Sequence, residues 1–216
     1  MLKIVSYTLS NNKEPFIEWL ESLDNQTQAI LAARLNRVRL GNFGNCEPVG
    51  LGVSELKIFY GPGYRIYFAK DRTTLVVLLL GGDKGTQNQD IKKAQRYWAD
   101  YKGKNMAKSQ DAKRRMPRDF KDYLLKRLQD PEFARTYLNE ALVDDDQRVF
   151  LLALKDVLEA YNSNMSAIAR EAQLSRQNLY GILSDKGNPK LTSVRSVLHV
   201  LGLKLAVQPD LPNKHK

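Results

Sequence analysis

The sequence predicts an α+β N-terminal domain, with an antiparallel sheet and packed helices, followed by an all-α domain. Between residues 54 and 80 the apolar residues recur with a period of two, which is typical of strands. From Phe120 onward the pattern has the helical period of 3.6. A polar, basic segment, YKGKNMAKSQDAKRRMPR, lies between the two parts and is typical of a linker. We therefore predict a first domain at residues 1–103, a linker at 104–118 and a second domain at 119–208.

The first domain is expected to begin with a strand, followed by two helices. Ile4 and Tyr7 lie in the strand, and Pro15 suits the first position of the first helix. Asn25 is expected to cap the second helix, and Gly41 suits the left-handed residue that ends it.

Three further strands, SELKIFY, YRIYFAK and TTLVVLLL, are separated by the short segments GPG and KDR. This spacing indicates an antiparallel meander. The last of these strands is apolar on both faces, so we place it centrally in the sheet, covered by helices. A final helix is expected at residues 90–101.

The second domain shows helical periodicity throughout. Its predicted helices are Phe120–Leu128, Pro131–Leu142, Asp145–Tyr161, Met165–Ala172, Ser175–Leu183 and Leu191–Leu201.

Charge and cysteine content narrow the class of protein. The net charge is +10, and residues 1–105 carry 15 Lys/Arg against 10 Asp/Glu, so both halves are basic and could attract polyanions such as nucleic acids. Cys46 is alone, which excludes an intramolecular disulfide and favours a reducing cytoplasm. The most apolar stretch, Leu75 to Leu80, is too short to span a bilayer, and no export signal is recognisable. We expect a soluble cytoplasmic protein without a membrane partner.

Residues 165–183 are predicted to form a helix-turn-helix. Ile168 and Ala169 supply the inner face of a short helix, residues 172–174 form the turn, and Ser175 caps a second short helix that packs through Leu179. In such motifs the second helix enters the major groove of DNA.

The start of this second helix carries side chains suited to reading bases. Arginine pairs with guanine, glutamine and asparagine pair with adenine, and serine or tyrosine can hold a phosphate oxygen. An ordinary solvated surface helix is the alternative. The candidate DNA-binding residues are Ser175, Arg176, Gln177, Asn178 and Tyr180.

The segment IAREAQLSRQNLYGILSDKGNPKLTSVRSVLHVLGLKL resembles the HigA-like addiction-module antidote family, a branch of the lambda-repressor-type helix-turn-helix group. The resemblance covers roughly residues 119–205. It implies a homodimer that binds an inverted repeat in the operator of its own operon and neutralises a cognate toxin.

Two segments of the first half, ELKIFYGPGYRIYF and LLLGGDKGTQNQDIKKAQRYW, resemble the RelE/HigB superfamily, specifically the phage-derived Gp49-like killer proteins. The resemblance covers nearly all of residues 1–101. It implies a RelE-like toxin that cleaves mRNA on the ribosome without a metal, so we expect no metal site and no cofactor.

The residues themselves leave only cations for such chemistry. Both histidines, His199 and His215, lie outside residues 1–105, so no imidazole acid–base pair is available in the first half. Lys57 and Arg65 could face each other across a hairpin, with Lys84 after the last strand closing a triangle. Fixed cations of this kind can stabilise the phosphorane and the departing 5′-oxygen.

By resemblance, Arg65 matches the arginine that stabilises the transition state, Lys57 matches a strand lysine that can act as base, and Lys84 stands where arginine is common. We expect Arg65 to be exposed, and a simple surface charge is the alternative for each cation. Glu55 could be a base or a partner of Lys57. The general acid stays open: some members use a tyrosine near the position of Asp90, and the substitutes here, which could also stack a base, are Tyr60, Tyr64 and Tyr67.

Two functions fit these observations. The first is a toxin–antitoxin module on one chain, in which an apolar stripe of the second domain docks on the toxin and covers its RNA site. The stripe consists of Phe120, Tyr123, Leu124 and Leu128. The second is a transcriptional repressor whose RelE-like domain is catalytically inactive and serves interaction or dimerisation.

Overall fold

The computed structural model describes residues 1–72, 75–106, 117–161, 164–184 and 186–207. The chain divides into two compact units, Met1–Leu124 and Leu125–Lys216. Most of the segment predicted as a linker lies outside the described residues. Within the described ranges, no helix is both long enough and apolar enough to cross a membrane.

The N-terminal unit is built on a six-stranded sheet in the order β2-β3-β4-β5-β1-β6. Its strands are β1 Lys3–Ser6, β2 Cys46–Pro48, β3 Val53–Ile58, β4 Tyr64–Asp71, β5 Leu75–Asp83 and β6 Arg118–Asp119. Strands β3, β4 and β5 form the predicted antiparallel meander, and β5 lies in the interior of the sheet between β4 and β1. The prediction for the meander is therefore confirmed.

The sheet as a whole is mixed, so the prediction of a purely antiparallel sheet is wrong. Strand β1 pairs in parallel with β5, with Ile4 opposite Val76. Two helices follow β1 before the next strand, and a connection of this length releases β1 from the antiparallel pairing that a hairpin would impose. Strands β2 and β6 span three and two residues, too few to show an alternating pattern in the sequence.

Three helices accompany this sheet: α1 Pro15–Glu21, α2 Asn25–Arg39 and α3 Gln87–Met106. Asp24, and not the predicted Asn25, caps α2, because its carboxylate accepts the backbone N–H of Thr27. Helix α3 begins three residues earlier and ends five residues later than predicted. The Asp83 carboxylate accepts backbone N–H groups in the turn that precedes the helix, and no proline lies between Tyr101 and Met106 to end the helix earlier.

The helices cover both faces of the sheet. Helix α3 packs on one face, over a core formed by Val5, Tyr7, Val53, Tyr67, Ala69, Val77, Leu79, Ala94, Trp98 and Tyr101. Helix α1 packs on the other face, where the ring of Trp19 contacts that of Tyr64 with centroids 6.0 Å apart. Gly81 and Gly82 allow both approaches, since a Cβ at Gly81 would overlap Trp19 and one at Gly82 would overlap the Asp90 carboxylate.

Helix α4, Phe120–Arg127, contains the division between the units. The other helices of the C-terminal unit are α5 Pro131–Leu142, α6 Gln147–Tyr161, α7 Met165–Glu171, α8 Arg176–Ile182 and α9 Leu191–Val200. All regular structure in the described part of this unit is helical, as predicted, and every predicted helix end agrees within two residues. Asp130, Asn164 and Ser175 cap α5, α7 and α8 through their side chains.

Candidate functional site

Lys57 and Arg65 lie directly opposite each other on β3 and β4. Glu55 and Tyr67 form the next pair on the same face, because side chains two residues apart on a strand point to the same side. Helix α3 covers this face, and its Gln87 reaches Glu55. The structure thus brings together two of the three predicted cations.

Arg65 is 7% exposed, so the expectation of an exposed arginine is wrong. Its Nε lies 3.6 Å from Oε1 of Glu55, and its Nη1 donates to the carbonyl oxygens of Gly63 and Tyr64 at 3.2 and 3.1 Å. A guanidinium can be buried here because a carboxylate and two carbonyls replace water around it.

Glu55 is the centre of a buried polar cluster. Its side chain is 1% exposed and accepts the hydroxyl of Tyr67 at 3.0 Å and the amide Nε2 of Gln87 at 2.9 and 3.1 Å. Burial, followed by the hydrogen bond to Glu55, raises the pKa of Tyr67. Glu55 is therefore a partner of Arg65. The ammonium group of Lys57 is paired with Glu47 at 2.5 Å.

Lys84 is exposed in the turn that follows β5. This turn adjoins the site because Asp83 is the register partner of Tyr64, next to Arg65. Asp90 is buried at the start of α3, where it accepts the hydroxyl of Thr86 and lies 4.0 Å from the Lys93 ammonium.

The three candidate tyrosines differ in access to solvent. Tyr67 is fully buried, so it cannot stack an RNA base. Tyr60 is 36% exposed and stacks on the half-buried Tyr64, with ring centroids 6.5 Å apart. Of the three, only Tyr60 and Tyr64 are accessible to solvent.

Sequence reasoning missed the contributions of Glu47 and Gln87. Gln87 lies inside the quoted segment GGDKGTQNQDI, so its position in a recognisable motif was the available signal. Glu47 lies in β2, whose three residues gave no strand signal. In the part of the chain that the structure describes, no group of three or more His, Cys, Asp or Glu side chains is arranged to hold a metal ion.

The candidate DNA-binding residues all lie on the exposed side of α8 or at its cap. Leu179 and Ile182 are buried on the opposite side. Ser175 is engaged as the cap, because its hydroxyl oxygen accepts the backbone N–H of Asn178 at 3.0 Å. The Arg176 guanidinium lies 5.5 Å from the centre of the Tyr180 ring, so both side chains lie on one exposed surface.

Helices α7 and α8 are joined by a tight turn. Gln173 has a positive φ of 58°, in the left-handed region, and the Leu174 N–H donates to the Ala169 carbonyl at 2.8 Å. These features end α7 at Glu171, and α8 starts at Arg176, five residues later. The exposed start of α8 is thereby held on a compact pair of helices.

Comparison with known proteins finds a family match in this half of the chain. A family model described as probable addiction module antidote protein matches residues 119–209. One protein of Haemophilus influenzae, of uncharacterized function, is 46% identical over 80 residues, which are 37% of this chain and 81% of the relative. A second such protein of Haemophilus influenzae is 40% identical over 94 residues, which are 43% of this chain and 95% of the relative.

Through residues 119–209, the chain belongs to the probable addiction module antidote family. The antidote-family region begins at Asp119 in β6, and so includes the end of the N-terminal unit as well as the helices α4 to α9. The candidate DNA-binding residues lie within it. The candidate cations Lys57, Arg65 and Lys84 lie outside it.

Proposed function

We propose that this chain is a toxin–antitoxin module on one polypeptide that acts in the cytoplasm. The N-terminal unit is a ribosome-dependent mRNA endonuclease of the RelE/HigB kind. The antidote-family region neutralises it and, as a homodimer, binds an inverted repeat in the operator of its own operon through a helix-turn-helix formed by α7 and α8. The observation that carries the proposal is the pairing of Lys57 with Arg65 across the hairpin, in a unit joined to an antidote.

The cations of the N-terminal unit suit a reaction in which charge develops on phosphate. When the 2′-oxygen of RNA attacks the phosphorus and the bond to the 5′-oxygen breaks, negative charge grows on the phosphorane and on the leaving oxygen. Arg65 is already fixed by Glu55 and two carbonyls, so its charge needs little reorganisation. Lys84 supplies a further charge from the exposed turn, and Tyr60 offers a ring on which a base can stack.

The test uses residues 1–124, which form the complete N-terminal unit. We expect this fragment to arrest growth and to cut mRNA on ribosomes, while the full chain does neither. Lys84→Ala should lower cleavage about tenfold or more, without loss of stability, because Lys84 is exposed. Lys92→Ala, an exposed lysine on α3, is the matched control and should keep full activity.

Arg65 is tested by a change that keeps the buried charge. Arg65→Ala would leave the buried Glu55 without its cation, so a loss of cleavage could result from unfolding and not from the loss of a catalytic group. Arg65→Lys retains the charge but loses the fork of donors, so cleavage should fall while the domain stays folded. Full cleavage by a folded Arg65→Lys variant would remove the guanidinium from the mechanism.

A second candidate is a transcriptional repressor whose N-terminal unit is catalytically inactive. It is favoured by the burial of Arg65 against Glu55 and by the presence of the buried Asp90 where the resemblance leads us to expect a tyrosine. In this case residues 1–124 would cut no mRNA and leave growth unchanged, whereas the full chain would still bind its operator.

DNA binding is proposed to depend on the exposed side of α8. One such helix reads only a few base pairs, so a dimer on half-sites about one helical turn apart is needed for specificity. Arg176→Ala or Gln177→Ala should weaken binding to the operator by about 1–3 kcal/mol and blur its sequence preference. Lys186 and Lys190 are exposed, and their replacement by alanine should weaken binding to all DNA alike and flatten its salt dependence.

Titrations at two salt concentrations, on operator and scrambled duplexes, separate these contributions. If the Arg176 and Gln177 variants lose the same affinity on both duplexes, α8 does not read bases. If they lose none on either, the exposed side of α8 is an ordinary solvated surface.

A further inference from the structure

The first residues of the antidote-family region are part of the N-terminal unit. Strand β6 pairs antiparallel with β1, so that Asp119 lies opposite Val5 and Arg118 opposite Ser6. Each residue of β6 also forms an ion pair with a side chain of the N-terminal unit. Arg118 Nη1 lies 3.1 Å from Glu14 Oε1, and the Lys3 ammonium lies 3.3 Å from Asp119 Oδ2.

The first turn of α4 continues this contact onto helices α1 and α2. Phe120 is 2% exposed, and its ring meets that of Phe16 edge-on with centroids 6.1 Å apart. The Tyr123 hydroxyl donates to Oε1 of Gln28 in α2 at 2.9 Å. Leu124, one helical turn after Phe120, is 1% exposed. Segment 118–124 thus combines strand pairing, two ion pairs, aromatic packing and a side-chain hydrogen bond.

Without this segment, β1 would be the edge of the sheet. An edge strand presents N–H and C=O groups that readily pair with an added strand. Adding a strand is a common way to bind an extended segment, since the backbone supplies affinity and side-chain pockets supply specificity. Here the side chains that contact the added segment are Phe16 on α1 and Gln28 on α2.

We propose that the β1 edge and the adjoining surface of α1 and α2 are the docking surface of the antidote, and that residues 118–124 are its docking segment. The occupant is the chain's own segment, because the antidote-family match begins at Asp119, within the paired strand. The proposal goes beyond the proposed function, since it requires neither RNA cleavage nor DNA binding.

The position of the segment also bears on how an antidote can act. Strands β5 and β1 separate β4 from β6, and Phe120 packs on the α1 side of the sheet. Arg65 and Glu55 lie on the α3 side. Residues 118–124 therefore hold the antidote on the N-terminal unit without covering Arg65, contrary to the expectation that this part of the apolar stripe covers the RNA site.

The test uses the full chain with a protease site inserted between residues 106 and 117. After folding, the chain is cut at this site, and the two fragments are analysed by size-exclusion chromatography in dilute solution. The chain without substitutions in residues 118–124 and the control variant Asp122→Ala, at an exposed position on α4, should both give fragments that elute together. The double variant Phe120→Ala and Leu124→Ala should give fragments that elute separately, with an affinity at least tenfold weaker.

Two results would overturn the proposal: separation of the fragments without any substitution in residues 118–124, or co-elution of the double variant with unchanged affinity. Tryptophan fluorescence shows whether the N-terminal fragment stays folded. If the N-terminal fragment unfolds when it is cut from the double variant, the variants Tyr123→Phe and Arg118→Ala test the proposal instead, because they retain the buried side chains of the docking segment. If the two fragments of these variants dissociate from each other as slowly as the two fragments of the parent chain, residues 118–124 are not the docking segment.

Discussion

Replacing Glu55 by glutamine should destabilise the N-terminal unit strongly. The substitution keeps the shape of the side chain but removes the negative charge that lies 3.6 Å from the buried Arg65 guanidinium. Removing one partner of a buried ion pair typically costs 3–5 kcal/mol. Because Arg65 keeps its hydrogen bonds to the Gly63 and Tyr64 carbonyls, we expect the lower end, about 3 kcal/mol.

The measurement is urea unfolding of the full chain followed by tryptophan fluorescence. The two tryptophans of the sequence, Trp19 and Trp98, both lie in the N-terminal unit, so the signal reports on that unit alone. Glu47→Gln is the control, because this residue also pairs with a cation but its side chain is 62% exposed. We expect the control to change the free energy of unfolding by at most about 0.5 kcal/mol.

A Glu55→Gln variant as stable as the control would refute the reasoning. In that case the buried charge of Arg65 would be compensated by groups other than Glu55. A further check is the double change Glu55→Met and Arg65→Met, which removes both charges and retains apolar bulk. It should recover only part of the lost stability, because it removes the unpaired buried charge but leaves the buried Tyr67 hydroxyl without its acceptor.

Three further predictions concern a helix cap, a close contact and a buried hydrogen bond. Asp24→Ala should cost about 1 kcal/mol at neutral pH. Hydrogen bonds from Thr27 lower the pKa of Asp24, so this cap stabilises the folded state above about pH 4 and stops doing so as the pH falls further. The difference in the free energy of unfolding between Asp24→Ala and the parent should therefore vanish when both are measured in acid. Gly81→Ala should prevent native packing of Trp19, seen as a shifted fluorescence maximum; an unshifted maximum would show that α1 can move away. The Tyr137 hydroxyl donates to the fully buried Asp156 at 3.0 Å. Tyr137→Phe should therefore lower the free energy of unfolding by about 1.5–3 kcal/mol, measured by unfolding followed by circular dichroism at 222 nm. An unchanged free energy of unfolding would mean that another group replaces the hydroxyl.

The sequence determined most of the secondary structure. Helix α5 begins at Pro131 and ends at Leu142 as predicted, because a proline, a capping Asp130 and a regular apolar stripe act within a few residues of each other. The meander of β3, β4 and β5 was equally predictable, since alternation and turn residues are local signals. The pairing of Lys57 with Arg65 followed from the same hairpin geometry.

The environment of the candidate site was decided by tertiary structure alone. Glu55 binds Gln87, which lies 32 residues further along the chain, and this contact exists only because α3 folds back over β3. Sequence spacing placed Glu55 near Lys57, whereas the packing of α3 buried it beside Arg65 and Tyr67. An arginine that looked like a surface charge is consequently held inside a polar cluster.

The parallel pairing of β1 and the docking of residues 118–124 depended on the tertiary structure in the same way. Strand β6 spans two residues and has no pattern of its own, so it forms only where β1 offers an open edge. Phe120 and Leu124 do lie on a predicted apolar stripe, but the stripe cannot specify which surface it meets. The sequence alone therefore determined the local elements, because capping, turns and periodicity act over a few residues. Only the folded chain decided which distant side chains are buried together, because that depends on how helices and strands far apart in sequence cover one another.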